Sequence, residues 1–362
     1  MSAYLLCFVC TYCQIFQKTM KQKLAQALSG SNKRTLSNSQ NGRMLGEKVH
    51  VHSKHSHKQH TIAEIEALAI LIRKEIILML LEAGSGHSAG PLGMADIFAT
   101  LYFSVLKHNP KDPKWDERDR VILSNGHICP VLYSTLSQAG YFSKSELKTL
   151  RKLGSRLQGH PHFLANTILQ KNAQTQELSI QNNQITHPDN LPGIENTSGP
   201  LGQGLSQAIG VATALKIDKK INNVYCLMSD GELQEGQNWE AILYAGNKNL
   251  NHLTILIDRN QIQIDGFTEN ILPLSELNSK FQSFNWHTQE INGHNIESII
   301  DACNKAKNHR LGPSVIICNT TPGKDVDFME NLPEWHGKPP SRKQAKDALE
   351  DLRSLKGRIW WE

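Results

Sequence analysis

Short runs of consecutive apolar residues alternate with helical patterns in the second half of the chain. Three such runs are bounded by polar residues and predict buried strands: 224–228, 253–257 and 314–318. Helical periodicity over 239–245 and 296–307 separates them. Strands that alternate with helices are typical of parallel sheets. The pattern therefore predicts an α/β fold, a doubly wound, mostly parallel sheet with helices on both faces.

The folded domain is predicted to begin at Thr61. Thr61 and, three residues later, Glu64 form the sequence pattern of a capping box. The apolar run that follows predicts a long helix, which Gly84 and Gly86 end. The polar residues before Thr61 lack apolar periodicity and predict a flexible extension. We predict three parts: a flexible extension over 1–60, a domain over 61–340 that includes a polar surface excursion at 163–190, and a helical tail over 341–362.

Composition excludes several classes of protein. The 362 residues are 39% hydrophobic and 20% charged, which is typical of a globular domain and not of a disordered, collagen-like or disulfide-stapled chain. The formal charge of +5 comes from 39 basic and 34 acidic residues, and no Lys/Arg block is long enough to form a nucleic-acid-binding stripe. We therefore expect no nucleic-acid partner.

Cysteine usage and apolar segments predict a cytoplasmic protein without a membrane span. The run 4–16 is too short to cross a bilayer and lacks the basic start of a secretory signal, so it indicates a misplaced start or a loose appendage. Charged residues interrupt the apolar stretch 67–81, which predicts a buried helix. Four scattered cysteines predict reduced core thiols: Cys129, Cys226, Cys303 and Cys318.

Two N-terminal stretches leave a metal-binding alternative open. The segment CFVCTYC (7–13) supplies three thiols without an evident fourth ligand nearby. The tract HVHSKHSHKQH (50–60) is rich in histidine but also contains lysine, as solvated linkers do. The alternative to metal binding is a loose appendage at 7–13 and a solvated linker at 50–60.

Polar side chains follow two of the predicted strands where each strand ends. Asp230 and Gly231 come after the first strand, and Asn260 comes after the second. Because parallel strands end at the same edge of a sheet, these side chains are expected side by side at a ligand-binding edge. A carboxylate, an amide oxygen and a backbone carbonyl suit Mg²⁺, and a glycine permits close approach of a diphosphate. Taken singly, Asp-Gly is typical of a turn and Asp-x-Asn of a cap.

The combination resembles the cofactor motif of thiamine diphosphate enzymes, and the surrounding sequence resembles transketolase over about 67–337. Seven strings occur in the order of that family: AGSGHSAGPLG (83–93), RDRVILSNGH (118–127), LQGHPH (157–162), LPGIENTSGPLGQGLS (191–206), SDGELQEGQNWEA (229–241), IDRNQIQIDG (257–266) and FMENLPEWHG (328–337). The resemblance implies thiamine diphosphate and Mg²⁺ as cofactors and sugar phosphates as substrates.

The resemblance also implies a role for each matching residue. The metal ligands would be Asp230, Asn260 and the carbonyl of Ile262. Cofactor contacts would come from His127, Gly199, Pro200, Leu201, Asp230, Gly231, Glu232, Glu235, Asn260 and His336. The catalytic histidines would be His87, His127, His160 and His336. Independently of the family, cleavage of a ketose carbon–carbon bond requires a hydroxyl proton to be removed, and histidine titrates near neutral pH.

The sequence departs from the family pattern at three points. Ser229 stands where Gly is usual, and Ser88 and Ala89 stand where Pro and Gly are usual. The segment 163–190 lengthens a connection that is short in relatives. A full transketolase continues into a pyrimidine-binding and a C-terminal domain, which carry the catalytic glutamate and the residues that hold the sugar phosphate. We therefore expect an N-terminal subunit that is inactive alone and joins a pyrimidine-binding C-terminal subunit, in a heterotetramer of pentose phosphate metabolism.

Two alternatives remain at this point. Another thiamine diphosphate enzyme, such as a 2-oxo acid dehydrogenase alpha chain or a deoxyxylulose phosphate synthase, would share the metal motif. A non-catalytic paralogue that binds a partner would be consistent with Ser229, Ser88 and the polar segment. The presence of every expected metal ligand and histidine argues against that second alternative.

Overall fold

The computed structural model describes residues 60–163 and 190–359. The predictions made for the N-terminal cysteines, for most of the histidine tract and for the body of the polar segment 163–190 lie outside the described residues. The division of the chain at 60/61 and 340/341 stays a prediction.

Five parallel strands form the central sheet, in the order β1-β2-β3-β7-β6. Their bounds are β1 Arg120–Leu123, β2 Val224–Ser229, β3 Leu253–Arg259, β6 His287–Asn292 and β7 Ser314–Asn319. A separate antiparallel pair follows β3, formed by β4 Ile262–Gln263 and β5 Gly266–Phe267. The predicted parallel sheet is thus confirmed, and each of the three predicted strands extends one or two residues further.

Helices cover both faces of this sheet. They are α1 Ile62–Ala83, α2 Ala89–Gly93, α3 Ala95–Thr100, α4 Cys129–Gln138, α5 Gly204–Ile217, α6 Gly236–Asn247, α7 Thr268–Ile271, α8 Leu277–Ser283, α9 Ile296–Asn308 and α10 Arg342–Ile359. A π-helical turn continues α3 over Leu101–Val105. Single 3₁₀ turns occupy Gly126–Ile128, Lys144–Thr149, Gly231–Gln234 and Pro333–Trp335.

The predicted capping box at the start of α1 is confirmed. Thr61 N donates to Glu64 Oε2 at 2.9 Å, and Glu64 N donates to Thr61 Oγ1 at 3.3 Å, so two otherwise unpaired backbone groups are satisfied. Gly84 ends the helix with φ 64°, a left-handed conformation that glycine adopts without a steric penalty.

Two hydrophobic cores lie on opposite faces of the sheet. Along β2, Tyr225 and Leu227 contribute to one core, while Cys226 and Met228 contribute to the other. The first core includes side chains of α1, α3, α4, α9 and α10, and the second includes side chains of α5, α6 and α8. Strands buried on both faces need apolar residues at every position, which explains the uninterrupted apolar runs in the sequence.

A buried ion-pair network ties α1 to the loops at one end of the sheet. Arg73, with a side chain only 3% exposed, donates to Asp96 Oδ1 at 3.2 Å and also pairs with Asp325 at 3.1 Å. His294 accepts a hydrogen bond from Thr321 N through Nε2, so its Nδ1 donates to Asp96 at 2.7 Å. Each charge in the network is therefore paired, as burial requires.

The described residues contain no helix with the length and apolarity needed to cross a bilayer. The four cysteines of the domain, Cys129, Cys226, Cys303 and Cys318, are buried and free, as predicted.

Replacing Arg73 with Met is expected to lower the free energy of unfolding by about 3–5 kcal/mol, because buried carboxylates lose their guanidinium. Lys305 on α9 pairs with Asp301 at the surface, where the two side chains are 62% and 60% exposed, and Lys305→Met is the matched control. The control should change stability by less than about 1 kcal/mol. Urea unfolding followed by circular dichroism measures both, and equal losses would contradict the importance of the network.

Candidate functional site

The carboxyl ends of β2 and β3 place Asp230 at the centre of the site. The two strands stay paired up to Ser229 and Asp258, and Asp230 N then donates to Asp258 O at 3.1 Å. The fully buried Asp230 carboxylate accepts hydrogen bonds from the N–H groups of Gly231 and Gln261, each at 2.7 Å. Arg259 Nη1 adds a contact at 3.1 Å. These donors fix the carboxylate in a single orientation.

Asn260 is oriented by a second buried acid. Its Nδ2 donates to Asp258 Oδ2 at 2.8 Å, which leaves Oδ1 as the oxygen that faces Ile262 N at 3.0 Å. Thr320 at the end of β7 donates to the other oxygen of Asp258. Gln261, between Asn260 and Ile262 in the sequence, adopts φ 62°. This left-handed conformation is uncommon outside glycine and is often found at functional sites.

Burial dominates the electrostatics of these acids. It raises the pKa of Asp230 to about 6, although Arg259 and the two backbone donors act in the opposite direction. It raises the pKa of Asp258 to about 7, and the nearby charge of Asp230 adds to this effect. Two acids held this close in a dry environment favour a cation beside them.

The oxygen atoms present fit a Mg²⁺ ion. Asp230 offers a carboxylate and Asn260 an amide oxygen, and the carbonyl oxygen of Ile262 lies 3.9 Å from the point where a Cβ on Gly231 would stand. All three are hard ligands of the kind that Mg²⁺ prefers. Within the described ranges, no group of three or more His, Cys, Asp or Glu side chains is arranged to hold a metal ion, so a zinc-type site is not found there.

A cavity of about 390 Å³ is lined by Ser229 and Gly231, on either side of Asp230, and by Ile262. Most residues predicted for the site line it: His87, His127, His160, Gly199, Leu201, Gly231, Glu232, Glu235, Ile262 and His336. Asp230 and Asn260 are buried and do not line it. Pro200 is exposed and lies outside the lining. The cavity also contacts Ser229, Gln234, Gln263 and Ile264.

Three imidazole rings form a triangle on one wall of the cavity. The ring centroids of His87 and His127 lie 4.9 Å apart, those of His87 and His336 5.5 Å, and those of His127 and His336 5.2 Å. His160 lies on the same cavity, next to Gly199. Nδ1 of His87 and Nδ1 of His336 are buried and have no hydrogen-bond partner among the described residues.

The four histidines are neutral at pH 7. Burial lowers the pKa of His87 to about 4, and the charges of His336, His160 and Arg151 add to this effect. Burial holds the pKa of His127 well below its ordinary value, and the neighbouring histidines His336, His87 and His160 act in the same direction. Burial also lowers the pKa of His160 and of His336. Neutral imidazoles can accept protons, as the chemistry expected from the sequence requires.

Glu232 connects three segments beneath the cavity. One carboxylate oxygen, Oε1, accepts hydrogen bonds from Ser124 Oγ at the end of β1 and from Gly202 N at 2.7 Å. Ser124 Oγ also accepts from Gly204 N at 3.1 Å. Oε2 is buried without a partner in the described part of the chain, and burial raises the pKa of Glu232 to about 7. The loop that contains Gly199 and Leu201 is thereby fixed to the sheet.

Two of the departures from the family pattern, Ser88 and Ser229, form side-chain hydrogen bonds. Ser88 is fully buried, and its hydroxyl donates to the carbonyl of Lys338, two residues after His336. The hydroxyl therefore links the segments of two cavity histidines. Ser229 Oγ accepts from Glu232 N at 3.3 Å and so supports the turn after β2.

Residues that were not predicted also contribute to the site. Asp258 and Thr320 orient Asn260, Arg259 contacts Asp230, and Gln263 lines the cavity. The rule that identified Asn260 at the end of β3 applies equally to Asp258 and Arg259, since they belong to the same strand end. Thr320 carries no local signal, because only the pairing of β3 with β7 brings it to the site.

Comparison with known proteins identifies the domain. Residues 63–175 and 175–353 match the family described as "Transketolase, thiamine diphosphate binding domain". The chain is 37% identical to the 6-deoxy-6-sulfo-D-fructose transketolase subunit of Clostridium sp. (strain MSTE9), over 80% of this chain and 96% of that protein. It is 35% identical to an apulose-4-phosphate transketolase subunit of Actinobacillus succinogenes, with the same two shares.

Solved structures give the same result. Transketolase from Campylobacter jejuni superimposes with a TM-score of 0.70 at 32% identity, over 83% of this chain. The match spans 46% of that longer chain. The sequence match, the structural match and the geometry of the cavity agree, and the chain belongs to the transketolase family, as its thiamine diphosphate-binding domain.

Proposed function

We propose that this chain binds thiamine diphosphate and Mg²⁺ and is the N-terminal subunit of a two-chain transketolase. The assembled enzyme would transfer a two-carbon ketol group between sugar phosphates. The observation that carries the proposal is a cavity of about 390 Å³ lined by neutral histidines and by Gly231 and Ile262, whose backbone N–H groups donate to the buried Asp230 and Asn260. The four free buried cysteines support a cytoplasmic location.

The cation and the diphosphate would share the floor of the cavity. Asp230, Asn260 and the Ile262 carbonyl would bind Mg²⁺, which commonly completes its coordination with phosphate oxygens. Gly231 lines the floor without a side chain and leaves room for a diphosphate. His127 and His336 would lie beside it, and Gly199 and Leu201 would contact the opposite end of the cofactor.

Glu232, Glu235 and Pro200 complete the proposed cofactor contacts. Glu232 and Glu235 line the cavity below the loop of Gly199 and Leu201. Pro200 lies in that loop but is exposed, so its contact would form only when the site is covered.

The histidines would handle the protons of the sugar. Bound thiamine diphosphate would supply the carbon nucleophile and accept the electron pair of the carbon–carbon bond that breaks. His87, His127, His160 and His336 would donate and accept hydrogen bonds at the donor's hydroxyl groups. Their neutral state at pH 7 lets a ring nitrogen accept a hydroxyl proton.

A second chain would cover the open side of the cavity. The relatives that match over nearly their whole length are named as subunits, whereas the longer Campylobacter transketolase continues well beyond the match. Ligand sites usually enclose most of their ligand, so a pyrimidine-binding C-terminal subunit is the expected cover, in a heterotetramer. That subunit would supply the catalytic glutamate and the residues that bind the sugar phosphate, and the isolated chain would be inactive.

Asp230→Asn should weaken Mg²⁺-dependent binding of thiamine diphosphate to the assembled enzyme by at least about 10-fold, the loss typical of disturbing even the outer shell of a metal site. The change keeps the size of the side chain and removes its charge. Calorimetric titration with and without Mg²⁺ measures the effect. Asp301→Asn, at an exposed position on α9, is the matched control. Unchanged binding by Asp230→Asn would refute the metal assignment.

With its partner purified from the native source, the chain should convert xylulose 5-phosphate and ribose 5-phosphate into seven-carbon and three-carbon sugar phosphates. The reaction should require both Mg²⁺ and thiamine diphosphate, and neither chain should catalyse it by itself. Turnover of pyruvate instead would indicate a 2-oxo acid dehydrogenase or deoxyxylulose phosphate synthase reaction. A partner complex that fails to bind the cofactor would indicate a non-catalytic paralogue.

A further inference from the structure

Two cavity histidines share a local context. Gly86 directly precedes His87, and Gly159 directly precedes His160. A Cβ on Gly159 would stand 2.6 Å from Nη1 and 3.0 Å from Cζ of Arg151. A Cβ on Gly86 would stand 3.9 Å from Cδ of the same arginine. One arginine side chain therefore crosses the backbone immediately before each of the two histidines.

The backbone of Arg151 is itself held in an unusual conformation. Its φ is 60°, in the left-handed region that residues other than glycine adopt rarely and keep only where the surroundings fix them. Its N–H donates to Leu157 O at 2.8 Å, which closes the turn that leads to Gly159 and His160. The turn thus directs the side chain back over the segment that follows it.

The charge of Arg151 acts on both imidazoles. None of the ion pairs found in residues 60–163 and 190–354 involves Arg151. After burial, Arg151 is the remaining cause that lowers the pKa of His160. For His87 the causes are burial, His336, His160 and Arg151, and none of them is a carboxylate.

We propose that Arg151 is a positioning residue of the site: it holds the Gly86–His87 and Gly159–His160 segments at a fixed spacing and places its positive charge beside both rings. A cation next to an imidazole disfavours the second positive charge. Arg151 therefore adds to burial in favouring the form of the two histidines that accepts protons. The catalytic use of that form rests on the proposed function, whereas the placement of the charge does not.

The direct test measures the titration of His160 in the full chain, without cofactor or partner. Diethyl pyrocarbonate modifies neutral histidine. Mass spectrometry of the peptide that contains His160 measures the extent of modification at each pH. The midpoint of this curve is the pH at which half of His160 is neutral. Arg151→Gln should raise the midpoint by about half a pH unit, because a nearby positive charge is lost. Arg151→Lys should keep the wild-type midpoint. His309, remote on the end of α9, serves as the internal control.

A second variant tests the contact itself. Gly159→Ala should displace the guanidinium, since the new Cβ would stand 2.6 Å from Nη1. It should raise the midpoint of His160 in the same direction as Arg151→Gln. The double variant should show no further rise, because both changes remove one interaction. Circular dichroism and thermal unfolding check that each variant remains folded.

The outcomes separate this inference from the proposed function. A His160 midpoint that is unchanged in folded Arg151→Gln, or additive shifts in the double variant, would overturn the role of Arg151. In the assembled enzyme, the acidic limb of the pH profile of kcat/KM should move to higher pH in Arg151→Gln but not in Arg151→Lys. If the assembled wild-type enzyme had no transketolase activity, the proposed function would fail, and the His160 titration would still decide the role of Arg151.

Discussion

The site depends on one constraint, the pairing of β2 with β3 up to Ser229 and Asp258. Ser229 and Asp258 are the final pair in register, and Asp230 N donates to Asp258 O just beyond them. The two strands diverge after this pair and leave the buried side chains of Asp230 and Asp258 at the edge of the sheet. Burial disfavours the ionised forms of Asp230 and Asp258, although Arg259 pairs with Asp230, so this edge favours a further cation. The β4–β5 pair and the histidine segments are arranged around it.

The parts of the fold that repeat a simple pattern could be predicted from the sequence. Uninterrupted apolar runs identified β2, β3 and β7, and the capping box at Thr61 fixed the start of α1. Asp230 and Asn260 followed from the rule that parallel strands end at one edge. The histidines came instead from the family resemblance, because each lies on a different segment without periodicity. Arg151 and Thr320 could not be predicted, since only contacts between distant segments give them a role.

Burial disfavours the charged form of both the acids and the bases of the site before any ligand enters. Burial shifts its acids and its bases in opposite directions: the pKa of Asp230 and Glu232 rises to about 6 and about 7, while that of His87 falls to about 4. Desolvation penalises the charged form of either kind of group. The same buried site would thus combine neutral imidazoles with acids whose ionised form a bound cation would stabilise.

The hydrogen bonds that join Ser124, Glu232 and Gly202 have a thermodynamic consequence for assembly. They order the loop that contains Gly199 and Leu201 against the sheet within this single chain. The conformational entropy of that loop is therefore lost when the chain folds, not when a second chain binds. A preorganised surface binds with a smaller entropic penalty, so a second chain that covered the cavity would meet a loop that is already ordered.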